Sequence, residues 1–122
     1  MNHSNPTDRP VLLPEVLDCE TAAESVVLVL RIPERLAYFV GHFDQIAIVP
    51  GVVQIHWAIH YAKQYLGLVR VFSHMEVIKF RELLLAGQQV GLHLRYTDKV
   101  RRLEFVYRSE TAEYGSGRIY FS

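Results

Sequence analysis

One stretch of helix-period sequence, Gly51 to Leu66, is followed by strand-period sequence almost to the last residue. In the helical stretch, apolar residues fall at Val52, Val53, Ile55, Ala58, Ile59, Ala62, Tyr65 and Leu66, a spacing of about 3.6 residues. Pro50 suits the first turn of a helix, where its missing N–H costs nothing, and Gly67 suits the stop. Lys63 is the only formal charge within it. A helix apolar on nearly all sides has to be wrapped by other structure.

Strands supply the wrapping. Ser25 to Ile32 is dense in β-branched residues and ends at Pro33, which cannot donate to a ladder. Val69 to Phe80, Gln88 to Thr97, Arg101 to Ser109 and Glu113 to Phe121 also read as strands. Leu92, Leu94 and Tyr96 alternate with His93 and Arg95, and Leu103, Phe105 and Tyr107 alternate with Glu104, Val106 and Arg108. Such a period of two packs one face and leaves the other freer. Thr97-Asp98-Lys99 and Thr111-Ala112 are short enough to close antiparallel hairpins. Val11 to Asp18 is either a turn of helix or an edge segment, and Leu36 to Val40 is a short apolar lead into Gly41-His42. The expected architecture is α+β: one long central helix wrapped by a curved antiparallel sheet of four or five strands. Residues 1–10 read as a flexible arm and 11–122 as one domain. An unpaired sheet edge would be covered by pairing two subunits edge to edge, which predicts a dimer.

Composition narrows the function. Thirteen basic and 13 acidic residues give a formal net charge of zero, which argues against nucleic acid as a partner. Cys19 is the only cysteine, so no internal disulfide forms and a reducing compartment is expected. Met1 to Pro10 lacks the basic and apolar runs of a signal peptide. No segment has the apolar length of a membrane span, so a cytoplasmic location is expected.

The chemistry concentrates around Phe39-Val40-Gly41-His42-Phe43 and Ile48-Val49-Pro50-Gly51-Val52-Val53-Gln54-Ile55-His56-Trp57. This layout sets an imidazole beside the positive end of a helix, a place to bind a carbonyl and move a proton. The motifs resemble those of the hot-dog-fold β-hydroxyacyl-acyl-carrier-protein dehydratases over roughly residues 36 to 121. Gly41-His42-Phe43 is similar to that family's catalytic turn, and Val49-Pro50-Gly51-Val52 to the start of its central helix. Lys79-Phe80-Arg81 with Leu85 and Gly87 is similar to its strand motif before a turn, and Ser116-Gly117-Arg118-Ile119 to its last strand. Gln54 and Trp57 resemble the branch associated with aryl-polyene-type pigment clusters.

The resemblance implies loss of water from a 3-hydroxyacyl thioester, giving a trans-2-enoyl product. An imidazole is a suitable base for the α-proton near neutral pH, and helix N–H groups can take the charge that develops on the thioester oxygen. By resemblance His42 is the base and Gly51 or its neighbour polarises the carbonyl, with Phe43, Val52 and Gln54 around the substrate. The substrate would arrive on phosphopantetheine, from an acyl carrier protein or coenzyme A. No metal or bound cofactor is expected. The partner subunit would be a second copy or another hot-dog protein.

One position departs from the family. A carboxylate is expected on the helix six residues after the motif proline, where this chain has His56, and Gly51 to Leu66 holds no acidic residue. Three readings of His56 follow. It acts as the acid when protonated, about one-quarter of the time at pH 7 for an unperturbed imidazole. Alternatively it holds the leaving hydroxyl by hydrogen bonding. Or the chain is an impaired auxiliary subunit that pairs with an active dehydratase. A thioesterase is a further alternative, disfavoured because its usual helix carboxylate is missing too.

Other features have plainer readings. His56 and His60 have the i, i+4 spacing of metal ligands but lack a third. The aromatic residues Phe39, Phe43, Trp57, Tyr61, Phe72 and Phe80 either line an acyl tunnel or form the core. Lys79, Arg81, Lys99, Arg101 and Arg102 either greet an acidic carrier protein or are solvated.

Overall fold

The computed structural model describes residues 13–34 and 48–122. Six strands and one helix follow in the order β1 (Glu15–Thr21), β2 (Ser25–Arg31), α1 (Gly51–Leu66), β3 (Phe72–Phe80), β4 (Gln89–Thr97), β5 (Arg102–Arg108) and β6 (Glu113–Phe121). The strands form one sheet in the order β1-β2-β4-β5-β6-β3, every neighbouring pair antiparallel. The expected count of four or five strands is therefore too low. Part of the Val11 to Asp18 segment opens β1, which pairs with β2 from Glu15 opposite Arg31 to Thr21 opposite Val26. Of the two readings of that segment, the edge segment is the one observed from Glu15 on, and it continues to Thr21.

Period-two patterning sets the inner face. Val26, Leu28 and Leu30 of β2, Val90, Leu92 and Leu94 of β4, and Leu103, Phe105 and Tyr107 of β5 are all buried. Against this face α1 lays Val53, Gln54, Trp57, Ala58, Tyr61 and Ala62, its nearest strands being β4 and β2. Trp57 is fully buried at the centre, so Trp57 and Tyr61 belong to the core.

The helix keeps the bounds expected from its sequence. Pro50 precedes it in extended conformation, and Gly67 closes it in the left-handed region at φ 67°. Its cover is uneven among the described residues: Val53, Gln54, Trp57, Ala58, Tyr61 and Ala62 are buried, Ile55, Ile59, Tyr65 and Leu66 are partly buried against the core, and Val52 (72% exposed), His56, Lys63 and Gln64 are exposed.

The two sheet edges differ in character. The β1 edge carries Glu15, Asp18 and Glu20, charges that blunt pairing with another chain. The β3 edge is mixed, with Phe72, Met75, Val77 and Phe80 exposed beside Ser73, His74, Glu76 and Lys79. Val77 also has φ 55°, a strained value for a β-branched residue, where the pairing with β6 shifts register between Glu76 and Lys79.

Candidate active site at the start of the helix

The start of α1 is anchored from both sides. Val49 N–H donates to Leu84 O at 2.8 Å, and Ile48 bridges Leu85. Pro50 O accepts from Val53 and Gln54 N–H at 3.1 and 3.2 Å, which forms the first turn. Pro50 has no side chain able to cap that turn. The N–H groups of Gly51 and Val52 thus have no acceptor among the described residues, and the helix dipole adds positive potential there.

Gln54, one turn along, faces inward. Its side-chain Nε2 donates to Val49 O at 3.3 Å, and its backbone carbonyl accepts from Tyr107 Oη at 2.6 Å. Tyr107 belongs to β5, so this bond ties the first turn of the helix to the middle of the sheet. Burial holds the Tyr107 phenol well above its usual range, with Tyr61 adding to the effect. The phenol therefore remains a neutral donor.

Phe80, the last residue of β3, covers the helix start. A Cβ built on Gly51 would lie 2.5 Å from Phe80 Cε2, and one built on Gly115 would lie 2.9 Å from Phe80 Cδ1. The ring fits there only because both positions are glycine. Of the two expectations for Phe80, tunnel lining or core, its half-exposed ring over the helix start fits neither a buried core position nor an enclosed one. A glycine inside a strand pattern, as at Gly115, was the available signal of close approach.

His56 lies on the exposed face of α1. His60, one turn further, has its pKa lowered by burial, then by the neighbouring His56 and Lys63. Val52 and His56, four residues apart, thus share the exposed face of α1, whereas Gln54 points inward from the same first turns. His42 and Phe43, like Phe39 and the Leu36 to Val40 segment, lie outside the described residues. The five basic residues do not form one patch. Lys79 and Arg81 sit at the end of the sheet where Phe80 pairs with Gly115, whereas Arg101 lies at the other end, its carbonyl accepting from Phe121 N–H.

A family model described as ApeI dehydratase matches residues 18–118. The chain belongs to the ApeI-like dehydratase family. Among solved structures, it is 30% identical to a chain of the dehydratase heterocomplex ApeI:P from Xenorhabdus doucetiae. That match has a TM-score of 0.82 and covers 88% of this chain and 96% of that one. An uncharacterized protein from Erwinia carotovora subsp. atroseptica is also 30% identical, with a TM-score of 0.74 and coverage of 90% and 96%. No curated protein matches. With one helix packed on a six-stranded antiparallel sheet, the hot-dog architecture expected from the motifs is borne out. Among the described residues, no helix is long and apolar enough to cross a membrane.

Proposed function

We propose that this dehydratase-family chain acts on a 3-hydroxyacyl thioester carried on phosphopantetheine, eliminating water to give a trans-2-enoyl thioester. An acyl carrier protein is the proposed bearer, coenzyme A the alternative, and fatty acid or aryl-polyene assembly in the cytoplasm the setting. The observation that carries the reading is the helix start at Pro50-Gly51, where two N–H groups without an acceptor among the described residues can take the thioester oxygen.

In this reading His42 removes the C2 proton and its electron pair forms the C2–C3 double bond through the enolate. The C3–O bond breaks, and either His56 donates the proton that turns the leaving hydroxyl into water, or His56 holds the hydroxyl by a hydrogen bond while the His42 imidazolium returns the C2 proton to it. Gly51 N–H, with Val52 N–H beside it, stabilises the enolate oxygen. Phe43, Val52 and Gln54 surround the acyl thioester. No metal enters the scheme. In this reading Lys79 and Arg81, beside the Phe80 end of the sheet, meet an acidic carrier protein, Arg81 exchanging its surface ion pair with Glu113 for one with the partner.

In this reading a second hot-dog subunit completes the assembly across β3, an edge with no further strand among the described residues, where four apolar side chains are exposed. Such a partner suits a second reading, in which this chain is an auxiliary subunit and the partner supplies the carboxylate. Its support is the absence of any acidic residue between Gly51 and Leu66.

One experiment separates the readings. The purified chain is incubated with a 3-hydroxyacyl carrier thioester, with and without a second hot-dog subunit, and loss of water is followed by mass spectrometry. Turnover by the chain alone supports the first reading. Turnover only with the partner, together with a large gain from His56→Asp, supports the second. Release of free thiol instead would mean a thioesterase.

A further inference from the structure

Gln54 is the buried polar side chain among the described residues, at 3% exposure. Its Nε2–Val49 O bond fixes which way the carboxamide faces, because a flip would set oxygen against oxygen. The other end, Oε1, is buried with no hydrogen-bond partner among the described residues. A buried acceptor left unpaired is costly, and in a native site it calls for an explanation.

The direction of Oε1 supplies one. It points at Gly115, 2.5 Å from where a Cβ would stand, so the missing side chain is what makes room for it. The Phe80 ring closes the same space, spanning from Gly115 to Gly51. Phe80 is 46% exposed and ends an edge strand, so a change of its rotamer would carry the ring toward solvent. The ring stands beside both the helix start at Gly51 and the Gly115 position at which Gln54 Oε1 points.

We propose that Gln54 Oε1 is a specificity contact: with Phe80 swung aside, it accepts a hydrogen bond from the amide N–H nearest the thioester of the substrate's pantetheine arm. The inference rests on the thioester reading above and names the atom and the group that meet. A thioester has no donor of its own. The nearest donors on such a substrate are the C3 hydroxyl and the amide two carbons beyond sulfur. Gln54 and His56 project about 200° apart around the helix. With the hydroxyl on the His56 side of a carbonyl held at the helix start, the sulfur and its amide fall on the Gln54 side.

The test uses two probes with the full chain: S-butanoyl-N-acetylcysteamine, and the isostere in which an ester oxygen replaces the amide N–H. Affinities are read by NMR titration. The wild-type chain should prefer the amide probe by about tenfold, the ratio expected of one hydrogen bond to a buried acceptor. Q54M, which keeps the side-chain length and removes the acceptor, should bind both equally and at the ester's affinity. Equal affinity for the two probes in the wild type overturns the inference and leaves the thioester reading standing. Binding of neither probe overturns both. The wild-type comparison decides by itself, so a Q54M chain that failed to fold would leave the outcome readable.

Discussion

Tyr107 shows what a single side chain contributes to holding the site. Its hydroxyl reaches across 53 residues of sequence to the Gln54 carbonyl, from a fully buried position. Removing it by Tyr107→Phe leaves the ring packing in place and deletes only the bond. We expect a loss of about 1–2 kcal/mol in chemical denaturation, a neutral hydrogen bond plus part of the cost of a less satisfied buried carbonyl. An unchanged midpoint would mean that the bond does not brace the helix. The alternation of Leu103, Phe105 and Tyr107 made the inward direction of this ring legible in the sequence. Its partner was not legible, since a period of two says which face a residue takes and nothing about what stands opposite. Gly115 is a similar case: the sequence shows a glycine in a strand, and only the fold shows that Gln54 and Phe80 occupy the space of its missing side chain.

Among the elements, α1 was the most legible. Its apolar period, its leading proline and its closing glycine agree, and the observed bounds are those of the pattern. The β3 strand was less so, starting at Phe72 where Val69 was expected. Leu68 is buried at the helix end and Val71 O accepts from Ser122 N–H, so the intervening residues form a connection whose apolar content imitates a strand. On β3 itself, apolar residues remain exposed along an edge. Met75→Lys should therefore weaken self-association, or pairing with a second hot-dog subunit, because an edge lysine opposes strand addition. Sedimentation velocity should show a shift toward monomer, while the isolated chain's stability changes by no more than about 0.5 kcal/mol. An unaltered association state would move the interface away from β3.

At the scale of the whole molecule, stability should depend on pH through two histidines. His60 has its pKa lowered by burial, then by His56 and Lys63; His93 by burial, then by Arg108, whose Nε donates to His93 Nε2 at 3.3 Å. Both values lie below 6.5, so the unfolded chain takes up these protons at higher pH than the folded one. Stability is therefore full above about pH 6.5, falls as pH drops through that value, and levels off below the lowered native pKa values. Protonating His93 also removes the lone pair that Arg108 uses. Thermal midpoints measured from pH 7.5 to 5 should decline, and His93→Gln should flatten the slope. A midpoint that stayed level or rose over this window would contradict neutral burial of both rings.

The sequence by itself determined the elements and the class of fold. Periods of 3.6 and 2 are local properties of a chain, and proline and glycine punctuate them at the positions where backbone geometry demands. It also determined the departure at His56, which is a matter of identity at a position. Only the tertiary structure decided which face of α1 is buried, which strands stand at the sheet edges, and that Gln54, Phe80, Gly51, Gly115 and Tyr107 meet at one helix end. Those facts depend on strand order and on close approach between residues far apart in sequence, and no local pattern encodes the neighbour a side chain will find.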